Sequence, residues 1–248
     1  MPKWIIAGFA FFLTLTLFAA QAQTADEVIS KYVDAMGGKE KLNSINTLHM
    51  EGVAVMQNGN ELTTTMDKVN GKLSRRESQF GAMGSLTSII TDKGGWVSGP
   101  RSGGKFEPIP ADKLKNTKAE LDCAGSLVDY ASKGYKVEYL GKETLDGKDC
   151  HKIKLTLTSG ADITYYIDAQ TYYILRETHK GSSFAGNGGG RPGAADADIS
   201  TDFSDYQKTD QGYIFPFKVK VGGMGNGMTF EKIEVNKPLD VAKLSKPE

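Results

Sequence analysis

Apolar positions in this chain change their spacing along its length, and each change marks an element. From Ala25 onward, Val28, Ile29, Tyr32, Val33 and Met36 recur every three or four residues, the single buried stripe of an amphipathic helix. Thr24-Ala25-Asp26-Glu27 reads as its capping box, and Gly37-Gly38 as its stop. A short helical turn over Lys39 to Ser44 follows. The period then drops to two. Leu48, Met50, Gly52, Ala54 and Met56 alternate with His49, Glu51, Val53 and Val55. Asn58-Gly59 predicts a tight hairpin into Glu61–Val69, and Asn70-Gly71 a second turn into Lys72–Phe80. Strands over Met83–Asp92 and Gly95–Gly99 complete a meander of neighbours.

Pro108 and Pro110 end that meander. Ala111 to Lys133 reads as helical, with Leu121, Ala124, Leu127, Val128 and Ala131 on one side and Gly134 as its close. Alternation resumes at Tyr135, Val137 and Tyr139. It continues through Ile153, Leu155 and Leu157, then Ile163, Tyr165 and Ile167, then Tyr172–Lys180. Residues 181–195 lose all periodicity and read as a mobile Gly-rich loop. Its Gly-Asn-Gly-Gly-Gly does not predict a phosphate cradle, because Pro192 and another strand follow where a helix would be needed. Tyr213, Phe215, Phe217, Val219 and Val221 form a one-faced strand, with 222–227 as a hairpin tip. In the last strand Met228 and Phe230 share one parity while Ile233 and Val235 take the other. That slip predicts a β-bulge near Glu231-Lys232.

The pattern therefore predicts an α+β chain, mostly β, of roughly ten or eleven strands with an N-terminal helix and a mid-chain helical lid. No repeat or linker divides residues 23–248, which read as a single domain. A sheet this long must curl, and helices across its mouth would enclose an apolar hollow. Met50, Met56, Met66, Met83, Met224 and Met228 supply adaptable apolar surface for it, or simply fill gaps in the core.

The first 22 residues stand apart. Lys3, the apolar run Trp4 to Ala19 and Ala20-Gln21-Ala22 have the layout of a cleaved secretory signal, so the mature chain is expected to begin near Gln23. A retained anchor is disfavoured, because the run is shorter than the ~20 residues of a spanning helix. Thirty Lys and Arg balance thirty Asp and Glu, so no basic field attracts nucleic acid. Cys123 and Cys150 leave two alternatives open in an exported protein. One is a disulfide, worth about 3–4 kcal/mol on the chain-entropy model; the other is two separate thiols.

Catalytic chemistry finds little support. His49, His151 and His179 each stand alone in a strand and read as surface or hydrogen-bonded residues. Asp196, Asp198, Asp202 and Asp205 read as solvated edge charge rather than a calcium site. No Gly-x-Ser-x-Gly elbow occurs. No metal, no cofactor and no enzymatic activity are expected.

Several segments together resemble a known family. These are Ala25 through Leu42, Gly94-Gly95-Trp96 running to Pro108, Tyr130 to Tyr139 leading into Gly141-Lys142-Glu143, and Asp146-Gly147-Lys148-Asp149. Tyr165-Tyr166-Ile167-Asp168 and Gly212-Tyr213-Ile214-Phe215-Pro216 complete the set. The chain resembles the extracytoplasmic outer-membrane lipoprotein-sorting, or LolA-like, proteins over nearly its whole mature length. The resemblance implies a half-open antiparallel β-barrel with helices across its mouth. It also implies a periplasmic, monomeric carrier of lipoprotein acyl chains or other lipids, served by membrane-associated donor and acceptor proteins. Trp96 matches the family's glycine-tryptophan turn, and Arg75 or Arg76 lies on the strand where such carriers can have a functional arginine. Candidate ligand contacts are thus Trp96, Arg75, Arg76, Met50, Phe80, Met83, Tyr165 and Phe217. The alternative is a non-enzymatic protein-interaction module of the same fold.

Overall fold

The computed structural model describes residues 24–56, 59–181, 197–222 and 227–247. The export segment, Asn58, most of the Gly-rich loop with Asp196, and the 223–226 tip lie outside the described residues.

α1 (Ala25–Ala35) carries the expected capping box: the Glu27 N–H donates to Thr24 Oγ1, and the Thr24 N–H to the Glu27 carboxylate. α2 (Lys39–Asn43) follows. β1 (Thr47–Val55), β2 (Glu61–Val69), β3 (Leu73–Gln79), β4 (Ser85–Thr91), β5 (Gly95–Ser98) and β6 (Glu107–Pro108) make one antiparallel meander. After α3 (Ala111–Thr117) comes a second meander. Its strands are β7 (Lys136–Leu145), β8 (Lys148–Thr156), β9 (Asp162–Asp168), β10 (Ile174–Lys180), β11 (Asp198–Lys208), β12 (Ile214–Val221) and β13 (Met228–Val235). Pairing of β1 with β13 joins the two meanders into one open sheet of thirteen strands among the described residues, with β6 and β7 as its unclosed edges. This is a half-open antiparallel barrel. The strand number exceeds the predicted ten or eleven partly because β6 is only two residues long and shows no alternation. The β7–β8 hairpin also extends beyond its apolar residues, turning at Asp146-Gly147 with both residues at positive φ. α4 (Val241–Leu244) closes the chain. Among the described residues no helix is long and apolar enough to cross a membrane.

The predicted bulge is present. Lys232 lies opposite Glu51 and Phe230 opposite Gly52, leaving Glu231 as the extra residue. Its effect is to bring Met228, Phe230, Ile233 and Val235 onto one face despite their mixed parity. Close approach explains Gly52. A Cβ there would come within 2.9 Å of the Phe230 ring, so only glycine lets that ring lie against β1.

Two covers lie over the concave face. α1 packs Val28, Ile29 and Tyr32 on Ile153, Leu155 and Ile167, all in one buried cluster. At the other end Leu114 of α3 and Leu121 join Ile109 over Ile90 and Val97.

Two expectations are corrected. The helix predicted through Lys133 stops early: α3 ends at Thr117, a 3-10 turn spans Lys118–Leu121, and 122–134 are turns. Side chains have captured the backbone there. The Cys123 N–H donates to Asn70 Oδ1 at 3.0 Å, the Ala124 N–H donates to Asp122 Oδ1 at 3.0 Å, and Asp129 adopts a left-handed conformation. Leu127 and Val128 are nonetheless buried, so the apolar pattern located the packing face but not the backbone. Secondly, only His49 is a hydrogen-bonded residue of the outer surface. His151 and His179 are buried, because each is in phase with the inward row of its strand. Cys150 is fully buried although it shares its strand face with Lys152 and Lys154. Both cysteines are buried free thiols in this structure.

Candidate functional site: an apolar cavity with a charged rim

Between the two covers the concave face is left open as a cavity of about 580 Å³. Strand phase decides what faces it. β1 contributes Leu48, Met50 and Ala54; β2 contributes Leu62, Thr64, Met66 and Lys68; β3 contributes Arg76 and Ser78. Phe230 and Met228 of β13 and Phe215, Val219 and Val221 of β12 continue the apolar wall. The volume lies within the ~300–1,000 Å³ typical of small-molecule sites.

Charged groups gather where the 3-10 turn after α3 overhangs β2 and β3. Lys68 Nζ donates to the backbone carbonyl of Asp122 at 3.1 Å. The Asp122 carboxylate itself is paired with Lys133. Glu120 hangs from the same overhang within electrostatic reach of Arg76 and Lys68. Across the cavity Glu177 of β10 stands in register between Tyr165 of β9 and Thr201 of β11. Burial, reinforced by the negative charge of Glu120, pushes the Glu177 carboxyl up to about 7. Burial likewise raises Glu120, against the pull of Arg76 and Lys68, and lowers Lys68 and His179. The Cys123 thiol, also on the cavity wall, is raised chiefly by burial.

Of the predicted contact residues, Met50, Phe80, Arg76 and Tyr165 line the cavity. The others do not. Arg75 pairs with Asp67 on one side and Ile89 on the other, and Ile89 with Trp96, so Arg75 and Trp96 share the outer face of the sheet. There Arg75 forms an ion pair with Glu77 and donates to the Leu244 carbonyl at 3.1 Å, held against α4. Met83 falls in a 3-10 turn and is 51% exposed. Phe217 packs against the Met50–Phe230–Ile233 cluster instead of lining the cavity. Lys68, Glu120 and Glu177 were not anticipated. Lys68 was legible in part, since it continues the phase of Leu62 and Met66, whereas Glu120 depended on how the overhang folds. Among the described residues no group of three or more His, Cys, Asp or Glu side chains is placed to hold a metal. Of the aspartates flanking the Gly-rich loop, Asp198 pairs with Lys180 and Asp202 with Arg176.

Known structures share this architecture. A LolA superfamily protein from Nitrosomonas europaea superposes with a TM-score of 0.54 at 10% identity, covering 91% of this chain and 99% of that one. The fold is LolA-like. An outer membrane lipoprotein-sorting protein domain from Vibrio parahaemolyticus gives a TM-score of 0.49 at 11% identity, covering 88% and 94%. A DUF1329 family protein from Desulfovibrio piger gives 0.47 at 14% identity, covering 88% and 96%. No family model and no curated protein matches the sequence. In this LolA-like frame the cavity occupies the concave face of the half-barrel, between the α1 cover and the α3 overhang.

Proposed function

We propose that this chain is a non-enzymatic carrier of lipid or lipoprotein acyl chains, exported to the periplasm by cleavage after Ala22. The observation that carries this reading is the cavity of about 580 Å³ walled by Met50, Met66, Phe215 and Phe230. An acyl chain entering it would gain ~0.8 kcal/mol per buried methylene, enough for one long chain to bind measurably. Methionine and phenylalanine walls accept chains of differing shape, which suits a carrier better than a site built for one rigid ligand. The LolA-like fold supports the same reading, because the family resemblance implies acyl-chain transport.

The test is direct. Mature protein purified from its native compartment is extracted with organic solvent and the extract is analysed by mass spectrometry; stripped protein is then titrated with a fluorescent fatty acid. Co-purifying lipid and saturable one-to-one uptake are expected. A lipid-free extract together with no uptake would remove the carrier reading. N-terminal sequencing of the same preparation is expected to begin at Gln23.

A further inference from the structure

We infer that Lys68 and Arg76 form a receptor for the anionic head of a single-chain amphiphile, with its tail lying along the Met66–Leu62 stretch of β2. The inference rests on the carrier reading and specifies its ligand class.

Register places the two cations together. Met66 pairs with Arg76 and Lys68 with Ser74, so Lys68 and Arg76 lie on the same face of adjacent strands, one step apart diagonally. Both line the cavity. Their donors are largely unused. Among the described residues Lys68 makes one hydrogen bond, to the Asp122 carbonyl, and no acceptor takes one from the Arg76 guanidinium. Arginine keeps its charge under all ordinary conditions and offers a planar fork suited to carboxylate or phosphate. Such a group facing an apolar cavity without a bonded acceptor is a costly arrangement that an anionic ligand would relieve.

The acidic groups nearby do not satisfy the pair. The Asp122 carboxylate is engaged by Lys133, and Glu120 approaches as a charge without a hydrogen bond to either cation. Glu177 stands on the opposite wall, where burial, reinforced by Glu120, raises its carboxyl to about 7. Two cations face the single carboxylate of Glu120 under the overhang, so an anionic head completes the balance there and a cationic head would add to the positive surplus. From Lys68 the inward face of β2 runs through Met66 and Thr64 to Leu62. At ~3.3 Å per residue that is roughly 20 Å of wall for a tail.

Stripped full mature protein is titrated with palmitate, palmitoyl lysophosphatidate, the neutral 1-palmitoylglycerol and hexadecyltrimethylammonium, reading displacement of a fluorescent fatty acid. The anionic probes are expected to bind at least about tenfold more tightly than the neutral one. Whichever of palmitate and lysophosphatidate binds tighter identifies the head as carboxylate or phosphate, and either result supports the inference. Arg76→Gln and Lys68→Gln should each erase most of that preference, weakening the anionic probes several-fold more than 1-palmitoylglycerol; Arg76→Lys should retain much of it. Circular dichroism and thermal melts matching those of the wild type show that the variants are folded. Equal affinity for neutral and anionic probes, a preference for the ammonium, or a preference that survives both glutamine variants would overturn the inference and leave the carrier reading standing. Failure of all four probes to bind would overturn the carrier reading itself.

Discussion

Two stretches of the same concave face make an instructive contrast. Under α1, Ile153, Leu155 and Ile167 are fully buried against Val28 and Val128. In the middle of the sheet Met66, Phe215, Val219 and Met228 alternate just as regularly, yet remain only partly buried. Both rows are greasy on one side and polar on the other. What differs is the cover: α1 spans one end, α3 and its overhang span the other, and no described element fills the stretch between. Alternation thus identifies which side of a strand avoids water, and the reach of the helices decides whether that side becomes core or cavity.

The contrast can be broken by mutation. Leu155→Ala in the packed end should lower unfolding free energy by about 2–5 kcal/mol, because it opens a void among atoms that cannot collapse into it. Met66→Ala in the hollow should cost only about 1 kcal/mol, since its side chain already borders open space. Urea denaturation of the two variants checks this, and similar losses would mean that the hollow is as tightly packed as the core.

Glu177 sharpens the same distinction electrostatically. Its carboxyl is raised from 4.5 to about 7, with Glu120, Tyr32, Tyr165, Tyr206 and the Lys68–Arg76 pair among the titratable groups lining its cavity. The unfolded chain releases this proton near 4.5 and the folded chain only near 7. Its ionisation therefore costs the native state increasingly as pH rises through that window. Glu177→Gln should raise stability at pH 8 by on the order of 2 kcal/mol and change it little at pH 4, as read from thermal melts at the two values.

Filling the hollow probes function rather than stability. Ala54→Phe should displace about two ligand methylenes and weaken fatty-acid uptake roughly tenfold, while melting within a few degrees of wild type. The smallest effect is expected on the outer face, where His49 lies between Asp67 at 2.6 Å and Glu51 at 2.7 Å. Burial opposes its protonation, but the two carboxylates prevail and hold its pKa above the usual value. This contribution is complete below 6.5 and fades as pH rises through the folded value. His49→Asn should accordingly cost up to about 1 kcal/mol at pH 5.5 and almost nothing at pH 9.

Much of the fold was legible in the residues, and specific ones show why. Thr24 and Glu27 cap α1 through contacts three residues apart. Asn70-Gly71 turns the chain within a few residues, and the parity change around Glu231 announced the bulge. Each signal acts over a short span of backbone. The 122–134 segment was misread because its apolar spacing is helical while its backbone is held by Asn70, a residue of another turn. The candidate contacts divided along strand phase: Arg76 faces the cavity and Arg75 does not, a distinction that needs the inward side of β3 to be known.

By itself the sequence determined the caps, the turns, the alternating faces and the bulge, since these follow from sterics and hydrogen bonds among near neighbours. Only the tertiary structure decided which greasy row was covered and which left hollow. It alone brought Lys68, Arg76, Glu120 and Glu177 around one cavity. Those outcomes depend on the curl of a sheet joined at β1 and β13 and on the lengths of the helices laid across it, quantities that no local pattern encodes.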